Sequence, residues 1–217
     1  MDSLARSLDL ANHHGNATCA DIKAICAAVL EYGFNGAFVN PVYIGLAKEK
    51  LGDKAKVGTV ISFPLGQDAL AVKQEAAKAA LASGADELDI VPNLGRFLEA
   101  RADKLLAEMK AIVVAVKEAR KDAIVKFILE TGYMTDEQIA EGAKLVVESG
   151  ADFVKICSGM GPRGASIHDV EIVRKAVGPD MKIKVAGGID TRQEAEAFIS
   201  AGANRIGTSH AVEIVSK

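Results

Sequence analysis

Six charged residues stand out in runs that otherwise read as buried strands. Asp9 lies in Ser-Leu-Asp-Leu-Ala, Asp89 in Glu-Leu-Asp-Ile-Val, Lys155 in Phe-Val-Lys-Ile-Cys and Lys184 in Lys-Ile-Lys-Val-Ala-Gly-Gly. Lys126 and Glu130 share a parity in Ile-Val-Lys-Phe-Ile-Leu-Glu. Burying such a charge is expensive unless it is paired. One reading is a structural ion-pair network, and it is the stronger one for Lys126 and Glu130. The other reading is chemical. Lys155 and Lys184 both precede glycine-containing turns, Cys157-Ser158-Gly159 and Ala186-Gly187-Gly188, which puts them near strand ends.

Two close lysines have a use. A free lysine amine has a pKa of about 10.4, so about one in 2,500 is neutral at pH 7. Only the neutral amine attacks a carbonyl. Bringing an amine to about pH 7 needs roughly 4.6 kcal/mol of differential destabilisation. A second ammonium at about 5 Å, with an effective dielectric near 20, supplies roughly 3.3 kcal/mol. Partial desolvation can supply the rest. A carboxylate such as Asp89 could relay protons at the reacting atoms. Asp9 could bind a hydroxyl or orient Lys184.

A second constellation suits an anion. Gly187-Gly188-Ile189 precedes a helical segment, and Gly207-Thr208-Ser209 follows one strand later. Glycines let backbone amides approach a phosphate, and a helix N-terminus adds a favourable dipole. A plain strand-to-helix turn explains Gly-Gly alone, but the pairing with Gly-Thr-Ser favours phosphate. Ser158 and Gly159 could complete the cradle.

Other residues are weaker candidates. His13-His14 looks like a metal pair, but adjacent histidines in a loop are more often solvated. His168 is expected on a helix surface. His210 stands near the anion end. Cys157, two residues from Lys155, is expected to share its face, and a packed thiol is the default. Met160 to Arg163 reads as a loop over the site, with Arg163 a possible anion contact.

These residues need a scaffold that gathers strand ends. Eight apolar runs centre on Leu8–Leu10, Ala37–Asn40, Val57–Ser62, Glu87–Val91, Ile124–Glu130, Phe153–Cys157, Ile183–Ala186 and Arg205–Thr208. Helical patterns separate them at Cys19–Tyr32, Tyr43–Leu51, Asp68–Ser83, Arg96–Arg120, Asp136–Ser149, Ile167–Val177 and Arg192–Ser200, with a short one near Ala211–Val215. Thr135 before Asp136-Glu137-Gln138 reads as a capping box. Three helices end in a Gly-Ala-Asp or Gly-Ala-Asn turn, at 84–86, 150–152 and 202–204. Strict alternation implies a parallel sheet. An open doubly wound sheet fits it too, but eight units in 217 residues favour a closed (β/α)8 TIM barrel. No linker divides the chain, so one domain over 1–217 is expected. In this fold sites form at the C-terminal strand ends, often with phosphate on the loops after strands seven and eight.

Composition narrows the setting. The chain is 49% hydrophobic with a formal net charge of −3, which argues against a generic nucleic-acid or membrane surface. No apolar run reaches membrane-span length. The opening Met1 to Arg6 does not read as a signal peptide. Cys19, Cys26 and Cys157 show no metal or secreted spacing, so reduced thiols in the cytoplasm are expected.

Taken in order, the motifs resemble the deoxyribose-phosphate aldolases. The resemblance runs from Leu8-Asp9 through Val39-Asn40-Pro41, Phe63-Pro64-Leu65-Gly66, Gly84 to Asp89, Glu130-Thr131, Asp152 to Lys155 and Lys184 to Ile189, ending at Arg205 to Ser209. It implies a class I aldolase. Lys155 would form the Schiff base with acetaldehyde, Lys184 would perturb it, and Asp89 would relay protons. Addition to D-glyceraldehyde 3-phosphate would give 2-deoxy-D-ribose 5-phosphate. No cofactor or metal is implied, and a homodimer or larger assembly is. The chain departs from the family's usual pattern at Ile156-Cys157-Ser158, at Leu10-Ala11-Asn12, at Ser62 and at His210. Three alternatives stand beside this reading. They are a lysine aldolase of different aldehyde or sugar preference, a non-aldolase phosphate-binding barrel, and a barrel kept for binding alone.

Overall fold

Among the residues described, 3–216 of a computed structural model, eight parallel strands alternate with helices. Met1 and Asp2, which open the N-terminal segment read above, lie outside the described residues, as does Lys217. The order begins β1 (Leu8–Asn12), α1 (Cys19–Tyr32), β2 (Gly36–Val39), α2 (Ile44–Leu51), β3 (Lys56–Ile61), α3 (Leu70–Ala82) and β4 (Glu87–Ile90). It continues α4 (Leu94–Leu98), α5 (Ala102–Ala119), β5 (Ile124–Leu129), α6 (Asp136–Glu148), β6 (Phe153–Ile156) and α7 (Ile167–Val177). It ends β7 (Lys182–Ala186), α8 (Arg192–Ser200), β8 (Arg205–Thr208) and α9 (Ala211–Ser216). Each strand pairs with its sequence neighbours, and β1 meets β8 through Leu8↔Ile206 and Asp9↔Gly207. The sheet is therefore a closed (β/α)8 barrel.

Strand parity sorts side chains between two cores. In β5, Val125, Phe127 and Leu129 join the apolar layer beneath the helices. Lys126 and Ile128, of opposite parity, are buried outside that layer, within the barrel. The same alternation sends Asp9, Asp89, Lys155 and Lys184 inward.

The Gly-Ala-Asp/Asn turns share one mechanism. Gly84, Gly150 and Gly202 all take positive φ, which ends the helix in a left-handed residue. The following side chain then caps the preceding strand. Asp86 accepts from Val57 N, Asp152 from Val125 N and Asn204 from Ile183 N, at 2.8–2.9 Å. Thr18, Thr135, Ser166 and Thr191 close capping boxes on α1, α6, α7 and α8.

Two expectations are corrected. The pattern over Arg96–Arg120 is not one helix. It divides into α4 and α5, with Ala100 at φ +57° between them. The break lets Glu108 of α5 reach back to accept from Asn93 N and from the buried Lys73, which also binds the Gly66 and Val91 carbonyls. That ion pair ties the loops after β3 and β4 together. Second, Ser62 and Cys157 are not strand residues. Both adopt positive φ, +56° and +62°, so their side chains leave the strand alternation.

Candidate active site

Lys155 and Lys184 are register partners on β6 and β7. Their Nζ atoms lie 2.8 and 2.9 Å from the same atom, Asp89 Oδ2 on β4. Lys184 also binds Asp9 Oδ2 at 2.7 Å. Lys126 binds Asp89 Oδ1 at 2.9 Å and contacts Glu87. Arg205 and Asn35 hold the other Asp9 oxygen at 3.0 and 2.7 Å. Four cations thus share three carboxylates in the barrel interior, all nearly withdrawn from water except Arg205, which is partly exposed. The ring of Phe38 lies under Lys184, 3.4 Å from the nitrogen to the centroid, adding a cation–π contact.

The electrostatics follow from this count. Burial works to raise Asp89, but Lys126, Lys155 and Lys184 outweigh it and hold the carboxyl well below its ordinary value. Asp9 is lowered in the same way by Lys184, Arg205 and Lys126. Lys126 is raised, because Asp89, Glu87 and Asp9 overcome its burial. Lys155 goes the other way. Burial pushes its amine below the ordinary lysine value, Asp89 opposes, and Lys184 and then Lys126 push it further down. Desolvation thus outweighs the second ammonium, which reverses the order of importance expected from sequence. The cause is position, since Lys155 is 3% exposed at the foot of a cavity.

That cavity, of about 260 Å³, opens at the C-terminal ends of the strands. Asp89, Lys155 and Lys184 reach its floor. Ser158 and Gly159 after β6, Gly187 and Gly188 after β7, and Gly207 and Ser209 at β8 form one wall. Gly187 and Gly188 take φ +90° and +72°. A Cβ on Gly187 would meet Gly159 Cα at 2.9 Å and Gly164 Cα at 3.0 Å, so glycine is required for the two loops to touch. With no side chains on its glycines, the wall leaves backbone uncovered, as an anion cradle requires. His210 stands at its lip, 2.9 Å from Asp190.

Several sequence expectations meet different surroundings. Asp9 does not line the cavity. It is fully buried behind Lys184, so it orients that lysine and is closed to a substrate hydroxyl. Cys157 turns away from Lys155 and places Sγ 3.0 Å from Thr131 Oγ1. Burial pushes this thiol up to about 11. Arg163 is engaged by Asp169 at 2.6 and 3.0 Å, so it does not meet an anion in the cavity. Glu130 and Lys126 do not pair. Glu130 accepts from Ser158 N at 3.1 Å. His168, by contrast, is exposed on α7 against Asp136, as expected. The sequence reading missed Phe38, Phe63 and Asp190 as wall residues and left His13 in solvent, whereas all four line the cavity; His14 borders it too but is exposed, as expected. The position of Phe38 two residues before Asn40 in an inward-facing run was the available signal.

A closed barrel that presents a buried lysine, its ammonium form destabilised, to a mouth lined with glycine turns has the layout of a Schiff-base aldolase. The profile of the DeoC/LacD family aldolases matches residues 4–210. The chain is 44% identical over 215 residues to the deoxyribose-phosphate aldolase of Caldicellulosiruptor saccharolyticus, covering 99% of this chain and 97% of the relative. It is 45% identical over 215 residues to that of Thermococcus gammatolerans, covering 98% and 95%. Among solved structures, the tetrameric deoxyribose phosphate aldolase from Aeropyrum pernix superposes with a TM-score of 0.88 at 34% identity, covering 97% of this chain and 88% of that one. The protein belongs to the DeoC/LacD family of aldolases.

Proposed function

We propose that the protein cleaves 2-deoxy-D-ribose 5-phosphate reversibly to D-glyceraldehyde 3-phosphate and acetaldehyde, with Lys155 as the Schiff-base nucleophile. The observation that carries this is the sharing of Asp89 Oδ2 by the two lysines. It puts a lysine whose ammonium form is destabilised, a second cation and a proton-accepting oxygen at one point. The neutral Lys155 amine adds to the C1 aldehyde of the open-chain sugar, and loss of water gives the iminium. The C3 hydroxyl gives up its proton, the C2–C3 bond breaks, and its electrons pass to the iminium. This releases D-glyceraldehyde 3-phosphate and leaves an enamine. Protonation of the enamine carbon and hydrolysis return acetaldehyde and the free amine. Asp89 and Lys184 stand next to the nitrogen and move these protons. The cycle needs no reactant beyond the lysine amine and water. The turns at Gly187, Gly188, Gly207 and Ser209, with Ser158 and Gly159, hold the 5-phosphate.

The chain acts as a single domain in a homo-oligomer, supported by the tetrameric relative. A cytoplasmic setting, with small aldehydes and sugar phosphates as partners and neither nucleic acid nor membrane, suits the net charge of −3. Among the described residues no helix is long and apolar enough to cross a membrane. A related aldolase of altered preference is the second reading, favoured by His13, Ala11 and His210 in the cavity wall.

Borohydride reduction with acetaldehyde, and separately with 2-deoxyribose 5-phosphate, followed by peptide mapping, tests both readings. Selective modification of Lys155 by both compounds is expected. Modification by acetaldehyde alone would select the altered-preference reading. Sparing of Lys155 by both would sink the imine mechanism.

A further inference from the structure

His13 is an anomaly in the cavity wall. It lies on the loop after β1, and its ring stands 5.4 Å from Phe63, tilted by 52°. Its Nδ1 is buried and has no hydrogen-bond partner among the described residues. Buried polar atoms without partners are rare and call for an explanation. The ring borders the same cavity as Lys155, Asp89 and Lys184. With Nδ1 turned inward, Nε2 is the ring nitrogen left to meet a ligand.

The charge state of the ring narrows that ligand. Burial, then the Lys155 ammonium, lower the imidazole pKa to about 3. Asp89 opposes this, while Lys184 and His14 add to it. Burial and the neighbouring ammonium groups thus favour the neutral ring, which suits a polar uncharged partner better than a phosphate. A neutral imidazole gives the cavity one nitrogen that either donates or accepts, according to tautomer. A hydroxyl complements both cases, because it can accept and donate. An aldehyde oxygen complements only one.

We propose that His13 is a specificity-determining residue that hydrogen-bonds the hydroxyl on the carbon next to the aldehyde of the acceptor. It thereby favours 2-hydroxyaldehydes over acceptors that lack this group. The inference rests on the aldolase reading above and deepens it. The hydroxyl formed from the aldehyde oxygen during addition is common to all acceptors, so it does not enter the discrimination. Phe63 packs against the ring, and the unpartnered Nδ1 leaves Nε2 as the nitrogen that can bond a ligand.

The test compares acetaldehyde addition to D-glyceraldehyde 3-phosphate and to 3-oxopropyl phosphate, which lacks the 2-hydroxyl. Wild type and the variants His13→Leu and His13→Asn are measured with both. His13→Leu is expected to lose roughly tenfold in kcat/KM with the hydroxylated acceptor, the worth of one hydrogen bond, mostly through KM. It should be unchanged with the other acceptor. His13→Asn should recover part of the loss, and it serves if the leucine variant folds poorly. Equal losses with both acceptors, or none, would overturn the proposal. Failure of the wild type to use either acceptor would instead overturn the proposed substrate, which keeps the two failures apart.

Discussion

Replacing Lys184 by leucine separates its electrostatic effect from its packing. Leucine fills part of the same volume against Phe38 but carries no charge. The network can absorb the loss. Asp9 keeps Arg205 at 3.0 Å and Asn35 at 2.7 Å, and Asp89 keeps Lys126 at 2.9 Å and Lys155 at 2.8 Å. Lys184 and Lys155 contact one oxygen, so the nitrogens lie within two hydrogen-bond lengths of each other. At about 5 Å and an effective dielectric near 20, two unit charges repel by roughly 3 kcal/mol. Removing that repulsion favours the protonated amine of Lys155. Asp89, left with fewer competitors, favours it too, so both effects have the same sign. The neutral fraction at pH 7 should fall by between ten- and a few-hundredfold. The rate of borohydride-trapped imine formation with acetaldehyde, mapped to Lys155 across pH 6 to 10, reads this directly. The profile should move to higher pH and approach the wild-type rate at its alkaline end. A thermal melt checks that the barrel persists. A folded variant whose profile has the wild-type midpoint would refute the claim that Lys184 helps to neutralise Lys155.

Asp89→Asn removes the carboxylate that favours the Lys155 ammonium. Trapping should therefore extend to lower pH, while turnover falls by about 10²- to 10³-fold through the lost proton relay; unchanged turnover would remove Asp89 from the relay. The same network gives the fold an acid limit. Asp9 and Asp89 both titrate below their ordinary values in the fold. Their contribution is full above the ordinary carboxylate value near pH 4 and is lost as pH falls through it towards the lowered ones. Urea midpoints at pH 7 and pH 3 should differ accordingly, and equal midpoints would contradict the shifts. Gly187→Ala forces a Cβ to within 2.9 Å of Gly159 Cα at φ +90°. It should cost about 1–2 kcal/mol in stability. It should also raise KM at least several-fold for 2-deoxyribose 5-phosphate and less for unphosphorylated deoxyribose; equal effects on the two sugars would remove the Gly187 turn from the phosphate cradle.

The linear chain already determined the barrel and the identity of its reactive groups. Eight apolar runs, helix-ending glycines and four capping boxes are local signals, each decided by residues within a few positions. Charges inside strand runs stand out because burial penalises them wherever the strand goes. What the chain could not settle is set by distance across the barrel. Asp89 and Lys155, 66 residues apart, bond at 2.8 Å because β4 and β6 face one interior. The positive φ of Cys157 turned its thiol away from the lysine it follows, and strand parity alone could not reveal that. Arg163 met Asp169 before it could meet an anion. His13 looked solvated beside His14, yet loop packing against Phe63 brought it into the wall. Local propensity acts on near neighbours, whereas burial, pairing and loop approach depend on which surfaces closure brings together, and only the closed barrel decides those.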